Sequence, residues 1–555
     1  MQTSFVELHA RERAQALLDD GTARELVGPF DNLISPHLEP QGIVPESDDG
    51  VVLMQGQLDH QAAVVISIEG SFQGGGIGEV NGAKIVAALE QTLKDNQQGH
   101  SVYPVLILDT GGVRLQEANY GLLAISEIHN AIVALKSYVP VIGIIPGRVG
   151  SFGGMSITSA TLSYLITTKK ARVGLNGPEV IEQEAGVREF DASDKDLIWD
   201  TLGTTQRAAT GIVDEVIDDQ VSAIKQAVVN AIRAKKDSHR TERNDFYLTL
   251  LDQLDLTAPL DTAGYRQLYA TIKPVKHQLA PAKASDQLGT KSRGRLWFEK
   301  LTGITNAKSE VATVLYANQA DRAYLAIVAD EHNRFPRVRH GEVGLQEGFT
   351  VATVIDQIVA ADADKPVKRP IVLIVDVPSQ AYGYKEELIG IHLSLAAAAV
   401  AEAKARQAGH PVIAFIPGDA VSGGFLSFGL QSNRLILLDD ESITVQAMSK
   451  ASAARITQRT IAELEAATKH VPAMAYDVKN YQKLGALSQF VDGIQSWSAT
   501  PAAVAKVNDL IETAVQSTVD QPTDLHMRYE TAIAKASGRV ATRKMRAAVA
   551  EQWQA

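Results

Sequence analysis

Two glycine pairs, Gly153–Gly154 and Gly423–Gly424, each follow a run that reads as a buried strand and each open a stretch that reads as a helix. With no Cβ in the way, backbone N–H groups at such a place can approach a ligand, and a helix N-terminus favours negative charge. Each pair has a companion turn after the preceding strand, at Gly112–Val113 in one case and Ala381–Tyr382 in the other. N–H groups from both places, aimed at one point, would stabilise an oxygen on which charge develops, so the pattern predicts two oxyanion holes. Close packing of strand on helix would by itself explain one such pair. Two pairs in equivalent positions point to chemistry.

Other chemistries fit less well. The stretch QGGGIGEVNG (73–82) has Asn81 where the last glycine of GxGxxG would stand, and GxxxxGK[ST] is absent. Ser422 sits one residue away from a GxSxG elbow, but the matching segment around Ser151 lacks the glycine and the sequence assigns no particular histidine and acid as its partners, which disfavours a serine hydrolase. The chain has no cysteine, which excludes disulfides, thiolate catalysis and cysteine-ligated metals. No HExxH occurs and the histidines are scattered, so no metal site is expected.

The elements that must position these glycines occur twice. PVLILD runs from Pro104 to Asp109, followed by a helical stretch, VPVIGIIPG (139–147) and SFGG (151–154). PIVLIVD runs from Pro370 to Asp376, followed by a helical stretch, HPVIAFIPG (410–418) and SGG (422–424). Continuous apolar runs bounded by Gly and Pro suit parallel strands covered on both faces, with the helices as crossovers. The fold class is therefore α/β, in two similar domains. The stretch 272–294 is rich in Pro, Lys, Ser and Gly without apolar periodicity and reads as the connector, placing the domains at 1–284 and 285–555.

At 555 residues the chain can hold several cores, and its net charge of −12 argues against tracking a phosphate backbone, so no nucleic acid is expected. Ser4 and Glu7 form a capping-box pattern and Gly21 closes the segment, so residues 4–20 read as a charged amphipathic helix rather than a signal peptide. The longest apolar runs, such as 392–401, are too short or too alanine-rich to cross a bilayer, which predicts a cytoplasmic protein without membrane association.

The quoted residues carry a resemblance. DTGGVRLQE (109–117), SFGGMSITSATLSYLI (151–166), ARVGLNGPEVIEQ (171–183) and GIVDEVID (211–218) resemble, in order, the β-type carboxyltransferase domains of acyl-CoA carboxylases in the crotonase-like superfamily. DVPSQAYGYKEE (376–387) and GDAVSGGFLSFG (418–429) are similar to the partner α-type domain. Two departures narrow the choice. The four-cysteine zinc ribbon common in bacterial β-type subunits is missing, and DVPSQAYG replaces an Asp-Thr-Pro-Gly-Ala-Tyr-like turn. With RVRHGEVGLQEGF (337–349), the second half resembles the γ subunit of biotin-independent malonate decarboxylase, and the first half its β subunit.

That resemblance implies two crotonase-like domains, each a superhelix of ββα repeats, fused in one chain. It implies decarboxylation of a malonyl group held as a thioester on an acyl carrier protein, with release of carbon dioxide. The expected catalytic groups are the N–H groups near Gly112, Val113, Gly153 and Gly154, and near Ala381, Tyr382, Gly423 and Gly424. A proton donor must also quench the enolate; Tyr382 and Ser422 are candidates for it from position alone. Basic residues would meet the carrier or its phosphorylated arm, with Arg114 foremost and Lys169, Lys170, Arg172, Arg334, Arg337 and Arg339 beside it. The implied partners are the acyl carrier protein subunit and a carrier-protein transferase subunit, with higher oligomers left open. The only cofactor implied is a CoA-like phosphopantetheine prosthetic group on the carrier, without biotin or metal. A biotin-dependent carboxyltransferase using the same holes is the alternative, and a non-catalytic scaffold a third reading that the intact glycines disfavour.

Overall fold

The computed structural model describes residues 3–469 and 471–554. The first half is built on a seven-stranded sheet of β1 (Arg24–Leu26), β2 (Val51–Leu58), β3 (Gln61–Ile68), β4 (Tyr103–Ile107), β5 (Ile142–Ile145), β6 (Tyr164–Thr168) and β7 (Glu215–Ile217), in that spatial order. The second half has β8 (Val314–Asn318), β9 (Ala323–Ile327), β10 (Ile371–Ile374), β11 (Val412–Ile416), β12 (Ala420–Val421), β13 (Arg434–Leu438), β14 (Val445–Gln446) and β15 (Gln489–Val491). Six of these form a sheet in the order β15-β13-β11-β10-β9-β8, with β12 and β14 paired apart. The first sheet opens with three antiparallel strands, β1–β2–β3, and the second with the antiparallel hairpin β8–β9, and both continue in parallel through helical crossovers. The runs PVLI and IVLI supply fully buried strands, as parallel strands covered on both faces require. The two similar α/β domains read from the sequence are these two sheets with their helices.

The repeat extends to buried charges. Asp109, at the end of the β4 run, accepts the Val149 N–H at 2.6 Å and the Gly150 N–H at 3.2 Å, and pairs with Arg13 at 2.9 Å. Asp376, at the end of the β10 run, accepts the Asp419 N–H at 3.1 Å and the Gly294 N–H at 3.0 Å, and pairs with Arg293. Both aspartates therefore tie the loop leading to the glycine pair to the helix that opens their own half. Each guanidinium divides its fixed fork of donors between the carboxylate and nearby groups: Arg13 also donates to Phe5 O and Val6 O, and Arg293 to Asp419 and Ser442 O.

The halves also exchange helices. Helix Asn244–Gln253 of the first half packs on helix Leu345–Ala361 of the second, with Tyr247 stacked on Phe349 at 4.6 Å and 3°. Helix Val540–Trp553 returns to pack on helix Glu79–Gln97, where Thr542 donates to Glu79 and the Trp553 indole donates to Asp95 at 2.8 Å. Beside it, Arg539 forms a buried ion pair with Glu127 at 2.9 Å. This reciprocal exchange gives the chain the form of a pseudo-dimer.

Two expectations are corrected. The N-terminal helix spans Ala10–Leu17 rather than 4–20, because Asp219 takes the Ser4 hydroxyl at 2.7 Å and the Val6 N–H at 2.9 Å and holds that stretch outside the helix. Its cap is His9, whose N–H donates to Glu12 at 2.9 Å. The stretch 272–294 is no loose connector. Leu279 N–H donates to Gln357, Ala282 N–H to Tyr316 O at 2.7 Å, and helix Arg293–Thr302 begins before the stretch ends. Among the described residues, no helix is long and apolar enough to cross a membrane.

Candidate active site

In the first half the chain leaves β4 and doubles back at Gly111–Gly112–Val113. Ile77 N–H donates to Gly112 O and Arg114 N–H to Ile77 O, both at 2.8 Å, which turns the Val113 N–H to the opposite side. Val113 N–H has no partner among the described residues. Gly112 sits at φ 101°, and a Cβ there would lie 2.8 Å from Phe152 O, so only glycine fits this turn against the next. Gly153 donates to Leu175 O at 2.8 Å, at φ 54° and ψ −144°. Gly154 then opens helix Gly154–Thr161, and its N–H also has no partner among the described residues. That is the usual state of a first-turn N–H, here left open toward a cavity.

The second half repeats the ladder with different occupants. Val421 N–H donates to Val377 O as Phe152 N–H does to Thr110 O, and Val343 N–H donates to Ser379 O as Ile77 N–H does to Gly112 O. These bonds place Gln380 opposite Val113, Gly423 opposite Gly154, and Ser422 opposite Gly153. Ser422 keeps the positive φ of its counterpart, 59° against 54°, although it carries a side chain. The two turns are thus related one residue earlier than the glycine pairs suggest. The Ala381 N–H, expected as a donor, is spent on Val343 O at 2.9 Å. Gly424 lies inside the helix turn, where a Cβ would meet Ser379 O at 2.6 Å. The Gly423 N–H donates at 2.9 Å to the side-chain oxygen of Gln380.

Both turns border one cavity of about 340 Å³, lined among others by Val113, Gly154, Asn176, Gln380, Ser422 and Gly423. Gln380 was not anticipated as a site residue, although it lies in the SQAYG turn that departs from the carboxyltransferase wording. Its amide nitrogen donates to Asn176 Oδ1 at 3.1 Å. Asn176 in turn donates through its side chain and its backbone to Glu387, at 2.8 and 2.7 Å. Glu387 lies 3.8 Å from Arg207, and burial raises its pKa. Of the two candidate proton donors, Ser422 borders the cavity and Tyr382 does not. The Tyr382 hydroxyl lies beside Ser422 and Gln380, and burial together with the Glu184 charge pushes its pKa up, keeping it protonated.

A second cavity of about 660 Å³ adjoins the first through Gly111, Gly153, Leu175, Asn176, Met448 and Ile456. Its wall carries Arg148, Arg172 and Arg455, the first and last of which were not anticipated. The Arg172 guanidinium lies 5.8 Å from the Phe152 ring and 5.7 Å from that of Trp199.

The remaining expected basic residues lie elsewhere. Arg114 runs along the first cavity, but its guanidinium is buried between Asp49 at 2.7 Å and Glu117 at 2.8 Å, which corrects its assignment as the leading phosphate contact. Lys169 and Lys170 are exposed, pair with Asp218 and Asp219 at 3.1 Å, and border neither cavity. Arg337 pairs with Glu189 at 2.5 Å, Arg339 donates to Asn333 O, and Arg334 to Leu251 O.

Residues 6–258 match the carboxyl transferase domain family, and residues 338–553 match the malonate decarboxylase gamma subunit family. Two relatives from Malonomonas rubra are malonyl-S-ACP:biotin-protein carboxyltransferase MADC, 40% identical over 43% of this chain and 79% of its own length, and MADD, 38% identical over 37% and 78%. Among solved structures, a chain of a Pseudomonas malonate decarboxylase hetero-tetramer in complex with malonate is 50% identical, covering 48% of this chain and 98% of its own, at a TM-score of 0.48. The chain belongs to the malonate decarboxylase family, with its beta- and gamma-type subunits joined end to end in one polypeptide.

Proposed function

We propose that the protein decarboxylates a malonyl thioester carried on an acyl carrier protein, giving the acetyl thioester and carbon dioxide. The observation that supports this reading is the pair of N–H groups, Val113 and Gly154, without partners among the described residues and bordering one cavity. Loss of the carboxylate breaks a carbon–carbon bond and drives its electron pair onto the thioester oxygen as an enolate. Donors fixed where that charge develops lower the barrier without having to reorganise. The thioester oxygen therefore sits on Val113 and Gly154, with the carboxylate toward Gln380 and Ser422. Ser422 passes the quenching proton to the enolate carbon, with the protonated Tyr382 behind it.

The phosphopantetheine arm of the carrier enters through the larger cavity. Arg148, Arg172 and Arg455 face its phosphate, and the same arginines give a net-negative enzyme a basic dock for an acidic carrier. A carrier-protein transferase completes the set of partners.

Carboxyl transfer to biotin is the second reading, suggested by the names of the two Malonomonas relatives. The occupancy of the second turn by Gln380 favours release of carbon dioxide instead. The purified protein should be given malonyl-carrier, malonyl-CoA and carboxybiotin separately, with carbon dioxide and acetyl thioester measured. Carbon dioxide and acetyl-carrier from malonyl-carrier are expected. Carboxyl exchange with biotin in the absence of decarboxylation would overturn the assignment.

A further inference from the structure

We infer that Gln380 is a specificity-determining residue: its amide oxygen is a built-in occupant of the second oxyanion turn and shuts that turn to an external carboxyl acceptor. The inference rests on the decarboxylase reading above and deepens it. The backbone bonds that fix the two turns against their neighbours correspond, yet at the place where the first half leaves the Gly154 N–H open among the described residues, the second half seats a side-chain carbonyl 2.9 Å from Gly423 N. An amide oxygen is chemically what an oxyanion turn accepts from a ligand. The seat is also held from behind, because the other end of the amide is fixed on Asn176, which is fixed on the buried Glu387. Gln380 is itself almost wholly buried, so breaking the seat would strand a buried N–H and a buried amide together.

The consequence concerns the fate of the carboxyl group. With the second turn filled, carbon dioxide released beside Gln380 meets no nucleophile. With it empty, the turn would hold the carbonyl of a ureido compound such as biotin, placing its ring nitrogen beside the leaving carboxyl. The malonyl carbon–carbon bond would then break as a nitrogen–carbon bond forms. The ureido nitrogen would lose its proton and the enolate carbon would gain one, so that malonyl thioester and biotin become acetyl thioester and carboxybiotin.

Free biotin serves as the probe. Its binding is measured by calorimetry, and carboxybiotin is measured with malonyl-carrier labelled in the free carboxyl. The variants are Gln380→Ala and Gln380→Ser, which vacate the seat, and Gln380→Glu, which retains an oxygen for the Gly423 N–H. The Ala and Ser variants should bind biotin roughly tenfold or more tighter than wild type, the factor worth about one freed donor in an apolar site, and should form carboxybiotin. Wild type and Gln380→Glu should do neither. Equal biotin binding by wild type and Gln380→Ala, or folded Ala and Ser variants with no affinity for biotin, would overturn the inference. The calorimetry needs no turnover and carbon dioxide release by wild type needs no biotin, so failure here is separable from failure of the decarboxylase reading.

Discussion

The side-chain oxygen of Gln380 accepts the Gly423 N–H at 2.9 Å. At the corresponding place in the first half Val113 carries a hydrocarbon side chain, and the Gly154 N–H stays open to the cavity. The two halves therefore share one backbone design and differ in what fills it. One turn is free to take a substrate oxygen, and the other is satisfied from within. An asymmetric cavity between near-symmetric domains suits a reaction with one reacting thioester.

Gly154→Pro should remove one N–H with little change to the helix, because proline is tolerated at the first helical position. Gly153 at ψ −144° lies outside the α region that a following proline disfavours. The expected loss in kcat is ~10²–10³. Gly154→Ala is the control, since its Cβ meets the same Ile125 and Leu426 methyl groups at 2.9 Å while the N–H survives. Equal losses in the two variants would show that crowding, rather than the donor, was responsible.

Ser422→Ala and Ser422→Gly should both slow acetyl thioester formation by ~10², the low end for a lost proton-transfer group. They should differ in stability. At φ 59° a Cβ is strained by roughly 1–2 kcal/mol, so Ser422→Gly relieves what Ser422→Ala retains. Urea unfolding of the two variants reads that difference, and steady-state rates read the shared loss.

Glu402 is buried within helix Ile391–Gln407, and burial pushes its pKa from 4.5 up to about 8. Between those values the unfolded chain has already released this proton while the folded chain keeps it. The unfolded state binds fewer protons, and this group's contribution to stability declines as pH rises from 4.5 to 8. Glu402→Gln keeps the shape of the neutral acid and removes the titration. Its melting temperature relative to wild type should rise steadily from pH 5 to pH 8.5, and a flat difference would show that Glu402 does not titrate in that window.

Arg539→Ala should destabilise the protein by about 3–5 kcal/mol, because it leaves Glu127 charged and buried without its partner. Pairing it with Glu127→Gln should recover much of the loss. Since the ion pair sits where the last helix of the chain returns to the first half, a single cooperative unfolding transition should move, rather than one of two.

Arg172→Glu with Arg455→Glu should raise the KM for malonyl-carrier by about tenfold, while a short malonyl thioester without the carrier suffers less. The difference should shrink as salt is added, because exposed charges are screened within about 8–10 Å at 0.1–0.15 M. A salt-independent effect would place the arginines in structural rather than docking roles.

Much of this was legible in the sequence because local rules sufficed. Apolar runs bounded by Gly and Pro mark buried parallel strands, so PVLILD and PIVLIVD revealed the duplication, and glycines at tight turns marked where backbone groups come close. Residue types alone also set the family resemblance. The register between the turns was different. Whether Gly423 or Gly424 answers Gly154 depends on which carbonyl each N–H meets across the bridge from Val377 to Ala420, and adjacent glycines look alike in one dimension. The role of Arg114 was likewise invisible, because its buried partner Asp49 lies 65 residues away in the chain. The seat of Gln380 needed Asn176 from the other half, a contact that only the packing of the two domains creates. Local propensity determined the elements and their glycines, and long-range hydrogen bonding decided which donors stay free.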